Sequence, residues 1–241
     1  MKSSLLPYFL FFFTLHCFAQ KEGFDLEDKR VLVVYGGWEG HQPKYFGEKI
    51  AKWLKDQKAK VLVSDSTSVY SDPKIMGDLD LIIQHITMSE LTQDQSKGLL
   101  QAIASGVGLA GCHGGLGDSF RNNTEYQYMV GGQFVKHPGG QVTYTVNFKN
   151  NEDPIVKGLN DFSLHSEQYY MHIDPAIEVL ATTRFSGTND YWIEGSEIPV
   201  VWKKMYGKGK VFYSSIGHSK DTFEIPEFWS VLTRGLNWAA N

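Results

Sequence analysis

One stretch restricts this chain more than any other: residues 108–120, GLAGCHGGLGDSF. A short apolar run, Gly108-Leu109-Ala110-Gly111, leads into Cys112-His113 and the turn Gly114-Gly115-Leu116-Gly117. A strand that stops abruptly in such a turn leaves its last side chains at the carboxyl edge of a parallel sheet. That edge is where open α/β folds bind ligands.

The flanking pattern agrees. RVLVVY (30–35) is a continuous β-branched run, as expected for a strand buried on both faces. A glycine turn through His41 follows, and Pro43 opens a helix carrying Ile50, Trp53 and Leu54. Strands are expected at 60–64 and 80–84, the latter ending at His85. A helix runs from Leu91-Thr92 to Ser105-Gly106, and the next strand spans 108–112. This alternation predicts an α/β fold with a doubly wound, mostly parallel sheet and helices on both faces. The second half is less regular. It reads as a short helix at 126–130, a loop at 131–140 and an alternating antiparallel or edge strand at 141–148. Further strands are expected at 155–159, 177–183, 200–205 and 210–215, and a closing helix at 227–238.

The first nineteen residues stand apart. Lys2, then the apolar LLPYFLFFFTLHCF (5–18) and Ala19, have the order of a secretory signal peptide. The apolar run is shorter than a membrane span requires, so no stable anchor is expected. Residues 20–29 are a polar lead-in, and residues 30–241 form one domain. Cleavage near Ala19 predicts a periplasmic or secreted protein. Cys17 leaves with the leader, so Cys112 has no partner for an internal disulfide. A net charge of -4 without a basic run argues against nucleic acid as a partner.

Four histidines, His41, His85, His113 and His218, follow predicted strands and would share one end of a parallel sheet. Such a bias predicts a pocket there. His85 reads equally well as a buried structural residue, and His165 reads as structural. Cys112 invites comparison with a nucleophile, but alternation sends Cys112 and His113 to opposite sides, which makes Cys112 a packing residue and His113 the elbow. Asp118 and Glu167 are the candidate carboxylates to orient a histidine or to act as acid and base. Asp118 also reads as a helix cap. Trp38, Tyr169, Tyr170 and Trp192 offer faces for sugar stacking. No HExxH motif or short His-x-His pair is present, so a metal would have to be gathered from distant loops. No GxGxxG follows the first strand, and no bound nicotinamide is expected.

At these residues the chain resembles a known family. RVLVVYGGWEGHQP, GLAGCHGGLGDSF, GGQFVKHP, SEQYYMHIDP and GKGKVFYSSIGHS, in this order, are similar to motifs of the ThuA-like, trehalose-utilisation proteins. The resemblance implies a three-layer, flavodoxin-like fold akin to class I glutamine amidotransferases. In their Gly-x-Cys-x-Gly elbow, His113 takes the cysteine position between Gly111 and Gly115, which argues against glutamine hydrolysis. The resemblance also implies roles for His41, His113, Asp118, His137, Glu167, Tyr169 and His218.

The expected protein is an exported enzyme acting on a disaccharide, a glucoside or a 3-keto-sugar. His113, Asp118, Glu167 and His218 are its candidate catalytic residues. Trp38, His41, His137, Tyr169 and His172 are its candidate substrate-binding residues. No cofactor is required in this reading. The alternatives are a divalent-metal-assisted lyase or hydrolase using the same histidines, and a non-catalytic sugar-binding protein.

Overall fold

A computed structural model describes residues 23–149 and 151–240, so the expected leader at 1–19 lies outside the described residues. Arg30–Gly37 (β1) feeds Pro43–Asp56 (α1), then Lys60–Ser64 (β2), the single turn Pro73–Met76 (α2) and Leu81–Thr87 (β3). Gln93–Ser105 (α3) leads to Gly108–Cys112 (β4). Thr92 caps α3 with a reciprocal capping box to Gln95, which sets where that helix starts. Gly114–Gly117 (α4), Thr124–Val130 (α5), Gly132–Lys136 (β5) and Gln141–Phe148 (β6) follow. The chain closes with Phe162–Glu167 (β7), Tyr170–Ile173 (β8), Glu178–Arg184 (β9), Glu197–Tyr206 (β10), Gly209–Ser214 (β11) and Pro226–Ala239 (α6).

The nine-stranded sheet has the order β2-β1-β3-β4-β11-β10-β9-β6-β7. Its first five strands are parallel and its last four antiparallel. The parallel part is the flavodoxin-like 2-1-3-4-5 order, whose ligand crevice lies at the carboxyl ends of its strands. Alternation in β1 shows why the sheet needs two helical layers. Val31 and Val33 pack on one face with Phe46, Ile50 and Leu54 of α1 and Phe228, Leu232 and Leu236 of α6. Leu32 and Val34 pack on the other with Leu99 and Ile103 of α3. Every residue of β3 and β4 is buried, as central strands covered on both faces require. Among the described residues no helix is long and apolar enough to cross a membrane.

Three segments differ from the sequence reading. The expected loop at 131–140 contains β5, which pairs with β8 in a separate two-stranded sheet. That pairing joins Gln133 to His172 across 39 residues and leaves no local signal. The expected strand at 155–159 is a set of turns. Asp153 accepts from the Ile155 amide at 2.9 Å, and its carbonyl accepts from Val156 and Lys157, so the local bonds outcompete a ladder. Strand β3 extends past 84 to Thr87, so His85 lies inside it rather than after it.

The seam between α6 and β11 can be tested. A Cβ on Gly235 would stand 2.3 Å from Phe212 Cζ, and Phe212 is fully buried. Alanine's helix preference over glycine is worth about 1 kcal/mol. Overpacking costs about 1–3 kcal/mol. Gly235→Ala is therefore expected to lower the urea midpoint, and pairing it with Phe212→Leu is expected to recover part of the loss. An unchanged or raised midpoint for the single variant would contradict this packing.

Candidate active site

Strand β4 ends where the backbone turns at His113, with φ 51° and ψ −146°. A side-chain-bearing residue occupies this region at a cost of about 1–3 kcal/mol, and only when its surroundings hold it. The hold is visible. The His113 amide donates to Ser214 O at 2.6 Å, and its carbonyl accepts from Gly117 N at 3.0 Å and from Tyr213 Oη at 3.1 Å. The glycines after it are a packing necessity. A Cβ on Gly115 would lie 2.2 Å from His85 Nδ1 and 2.7 Å from His85 Cα, and one on Gly114 would lie 2.6 Å from His41 Cε1.

The elbow places the His113 ring against Glu167, the last residue of β7, with Nε2 3.1 Å from Oε2. His218, just past β11, brings Nδ1 to 3.3 Å from the same oxygen, and His41, at the end of the 3-10 turn Glu39–His41, brings Nε2 to 3.8 Å. His137 Nε2 lies 3.8 Å from Oε1. Each of the three inner imidazoles is steadied from behind. His113 Nδ1 donates to Ser215 O at 2.8 Å, His41 Nδ1 lies 3.0 Å from Thr87 Oγ1, and His218 Nε2 lies 3.1 Å from Gln141 Nε2. Gln141 and Glu167 are register partners across β6 and β7. Tyr169 stacks on His113 at 4.1 Å, and its hydroxyl lies 2.8 Å from His113 Nε2. Trp38 meets His41 edge-on at 4.7 Å and is half exposed, which makes it a rim residue.

Burial opposes the charge on Glu167, but the imidazoles of His113, His218 and His41 outweigh it and hold the carboxyl well below the usual carboxylate range. Burial pushes the His113 imidazole down to about 4, with His41 acting the same way and Glu167 opposing both. The site thus pairs an ionised carboxylate with a neutral His113 at neutral pH.

The structure therefore gathers His41, His113, Glu167 and His218, with Trp38, His137 and Tyr169 beside them. It does not bring in two of the expected residues. The Asp118 carboxylate is taken by Arg121, with Oδ2 2.8 Å from Nη2, and contacts no histidine among the described residues. Asp118 also caps no helix N-terminus, since it follows α4. His172 lies on the exposed side of β8, away from the cluster, because its neighbour Met171 takes the buried side. His85, fully buried, stacks on Phe46 at 4.2 Å and is pushed down to about 3, chiefly by burial. It is a core residue. Sequence reasoning missed Thr87 and Gln141, the polar groups behind His41 and His218; contacts spanning 46 and 77 residues carry no spacing signal. A cleft of about 310 Å³, lined in part by Thr143, Gln168, Arg184 and Asn189, has no histidine in its lining among the described residues.

The 2-1-3-4-5 sheet with a strained elbow and a histidine–carboxylate centre at its carboxyl edge defines a flavodoxin-like α/β protein with a histidine-bearing elbow. The chain belongs to the ThuA family, described as trehalose utilisation, which matches residues 30–239. That membership ties it to carbohydrate metabolism. Solved structures agree on the fold. A putative ThuA-like protein from Bacteroides uniformis shares 19% identity, covering 89% of this chain and 92% of its own, with a TM-score of 0.74. Its counterpart from Parabacteroides merdae also shares 19% identity, over 89% and 91% of the two chains, with a TM-score of 0.69. A β-galactosidase from Bacillus circulans sp. alkalophilus matches at 14% identity over 87% of this chain and 31% of its own, with a TM-score of 0.55. No curated protein matches the sequence.

Cys112 is fully buried, with Sγ 3.9 Å from His85 Nδ1, and burial raises its thiol further from ionisation. Iodoacetamide is expected to leave the Cys112 peptide unmodified in native protein and to label it fully in denaturant, read by mass spectrometry. Rapid native labelling would restore the nucleophile reading.

Proposed function

We propose that this protein is an exported enzyme that transforms a small carbohydrate, a disaccharide, a glucoside or a 3-keto derivative, at the Glu167–histidine cluster. The observation that carries the reading is the convergence of four imidazoles on one carboxylate, 3.1 to 3.8 Å away, at the ligand-binding edge of the sheet. Membership of a trehalose-utilisation family supports the substrate class.

The expected chemistry is proton transfer beside a sugar carbonyl or at a glycosidic oxygen. Imidazole and carboxylate are the side chains that do this near neutral pH. His113 is fully buried, so in this reading it holds Glu167 in place rather than meeting the sugar directly. His137, 40% exposed, is the accessible proton carrier next to Glu167. Trp38, 47% exposed and edge-on to His41, offers an apolar face on which a pyranose stacks.

Incubation of the purified protein with a panel of disaccharides and 3-keto-sugars, followed by NMR and mass spectrometry, is expected to yield an isomer or a cleavage product. Glu167→Gln, with its fold checked by circular dichroism, is expected to slow that reaction by about 10²–10⁴. Binding without turnover would make the protein a sugar-binding module, and neither binding nor turnover would overturn the reading. Expression in a host with intact export is expected to give a mature N-terminus near Gln20. A retained Met1 would remove the export claim.

A further inference from the structure

We infer that His41, His113, His218 and Glu167 form the ligand set of a divalent first-row transition-metal ion. The inference uses the site proposed above but does not depend on the sugar.

Glu167 is a buried carboxylate that only imidazoles face as ion-pair partners among the described residues. The Glu167 side chain is 11% exposed, and among the described residues neither lysine nor arginine lies within ion-pair distance of it; its ion-pair neighbours are histidines alone. Buried carboxylates are stable when a cation or a set of donors faces them. The donors here point the wrong way. Ser215 O can only accept, so the His113 proton sits on Nδ1, and Nε2 turns a lone pair toward an oxygen 3.1 Å away. Two acceptors face each other across the gap. Tyr169 Oη, 2.8 Å from Nε2, offers its proton to the nitrogen and not to the carboxylate. His218 Nδ1 is buried and has no hydrogen-bond partner, although it points at the same oxygen. A cation at the centre resolves all of these at once.

The geometry fits an ion. Four candidate ligand atoms, one from each residue, lie within 4.8 Å of one another. Bonds of about 2.0–2.2 Å to one metal place tetrahedral ligands about 3.4 Å apart. The separations from Glu167 Oε2 are 3.1, 3.3 and 3.8 Å. The three rings stand at 68°, 72° and 81° to one another, so none stacks on another, and one nitrogen of each lies within 3.8 Å of Glu167 Oε2. Behind each ring stands an outer partner, Ser215 O, Thr87 Oγ1 or Gln141, the arrangement that orients metal-bound histidines. Three imidazoles and one carboxylate select zinc, manganese, iron, cobalt or nickel over calcium and magnesium, which take all-oxygen sets. Cys112 contributes no sulfur, being turned toward His85.

The test uses tag-free protein purified without chelator. Inductively coupled plasma mass spectrometry is expected to find about one transition ion per chain. After chelation and dialysis, titration with Co²⁺ alone is expected to develop visible d–d bands that saturate at one equivalent. Glu167→Gln and His218→Ala are expected to lose those bands while keeping a native circular dichroism spectrum. Thr87→Ala and Gln141→Ala, which alter only the outer partners, are expected to weaken Co²⁺ by about 10–100-fold. His165→Ala, an exposed residue of β7, is expected to bind as the unaltered chain does. Sub-stoichiometric metal with no saturable Co²⁺ spectrum would overturn the inference and assign the centre to an imidazolium–carboxylate pair. So would Co²⁺ binding that survives Glu167→Gln. A saturable site in a protein inert toward every sugar would defeat the carbohydrate reading and leave this one standing.

Discussion

The backbone of His113 holds the site together. Its left-handed φ takes the chain out of β4 at the point where β3 and β11 flank it, and the amide and carbonyl of this residue are both bonded to the end of β11. A side chain in that conformation is unfavourable on its own. It persists because glycines at 114 and 115 let the turn press against His41 and His85 without collision. The strained residue, the glycine turn and the buried histidines thus form one packed unit, and displacing any of them moves the ring that faces Glu167.

The two halves of the chain contribute different things to that unit. The parallel half supplies His41, His113 and, at the end of β11, His218, all from strand ends that point the same way. The antiparallel half supplies the carboxylate. Register pairs Glu167 with Gln141 across β7 and β6, so the carboxylate and the amide behind His218 arrive together. A buried carboxylate surrounded by imidazoles is electrostatically incomplete unless a proton or a metal ion joins it. The same incompleteness makes the cluster chemically useful, because whatever balances the charge is held beside the solvent-reachable His137 and Trp38.

Much of this was legible in the chain. The β-branched run at 30–35 and the apolar run at 108–112, each ending in glycines and the first followed by helical spacing, specify a parallel sheet. Histidines just past those runs mark its carboxyl edge. Resemblance across five ordered motifs pointed to the family, and the match over residues 30–239 agrees. Other features were not legible. Strand β5 was hidden because its partner β8 is remote, and the 155–159 turns were hidden because a single side chain, Asp153, redirects the local hydrogen bonds. Asp118 and His172 looked as suitable as Glu167 and His137. Nothing in spacing reveals that Arg121 claims the first or that the pleat of β8 turns the second outward.

By itself, then, the sequence determined the layering, the edge at which polar chemistry collects and the residue that stands at the elbow. These follow from periodicity and local turn stereochemistry, which act over a few residues. Only the tertiary structure decided which carboxylate meets the histidines and which ring nitrogens face inward. The separation of 54 positions between His113 and Glu167 is closed by sheet register and not by any local preference, so their distance of 3.1 Å exists only once the fold is complete.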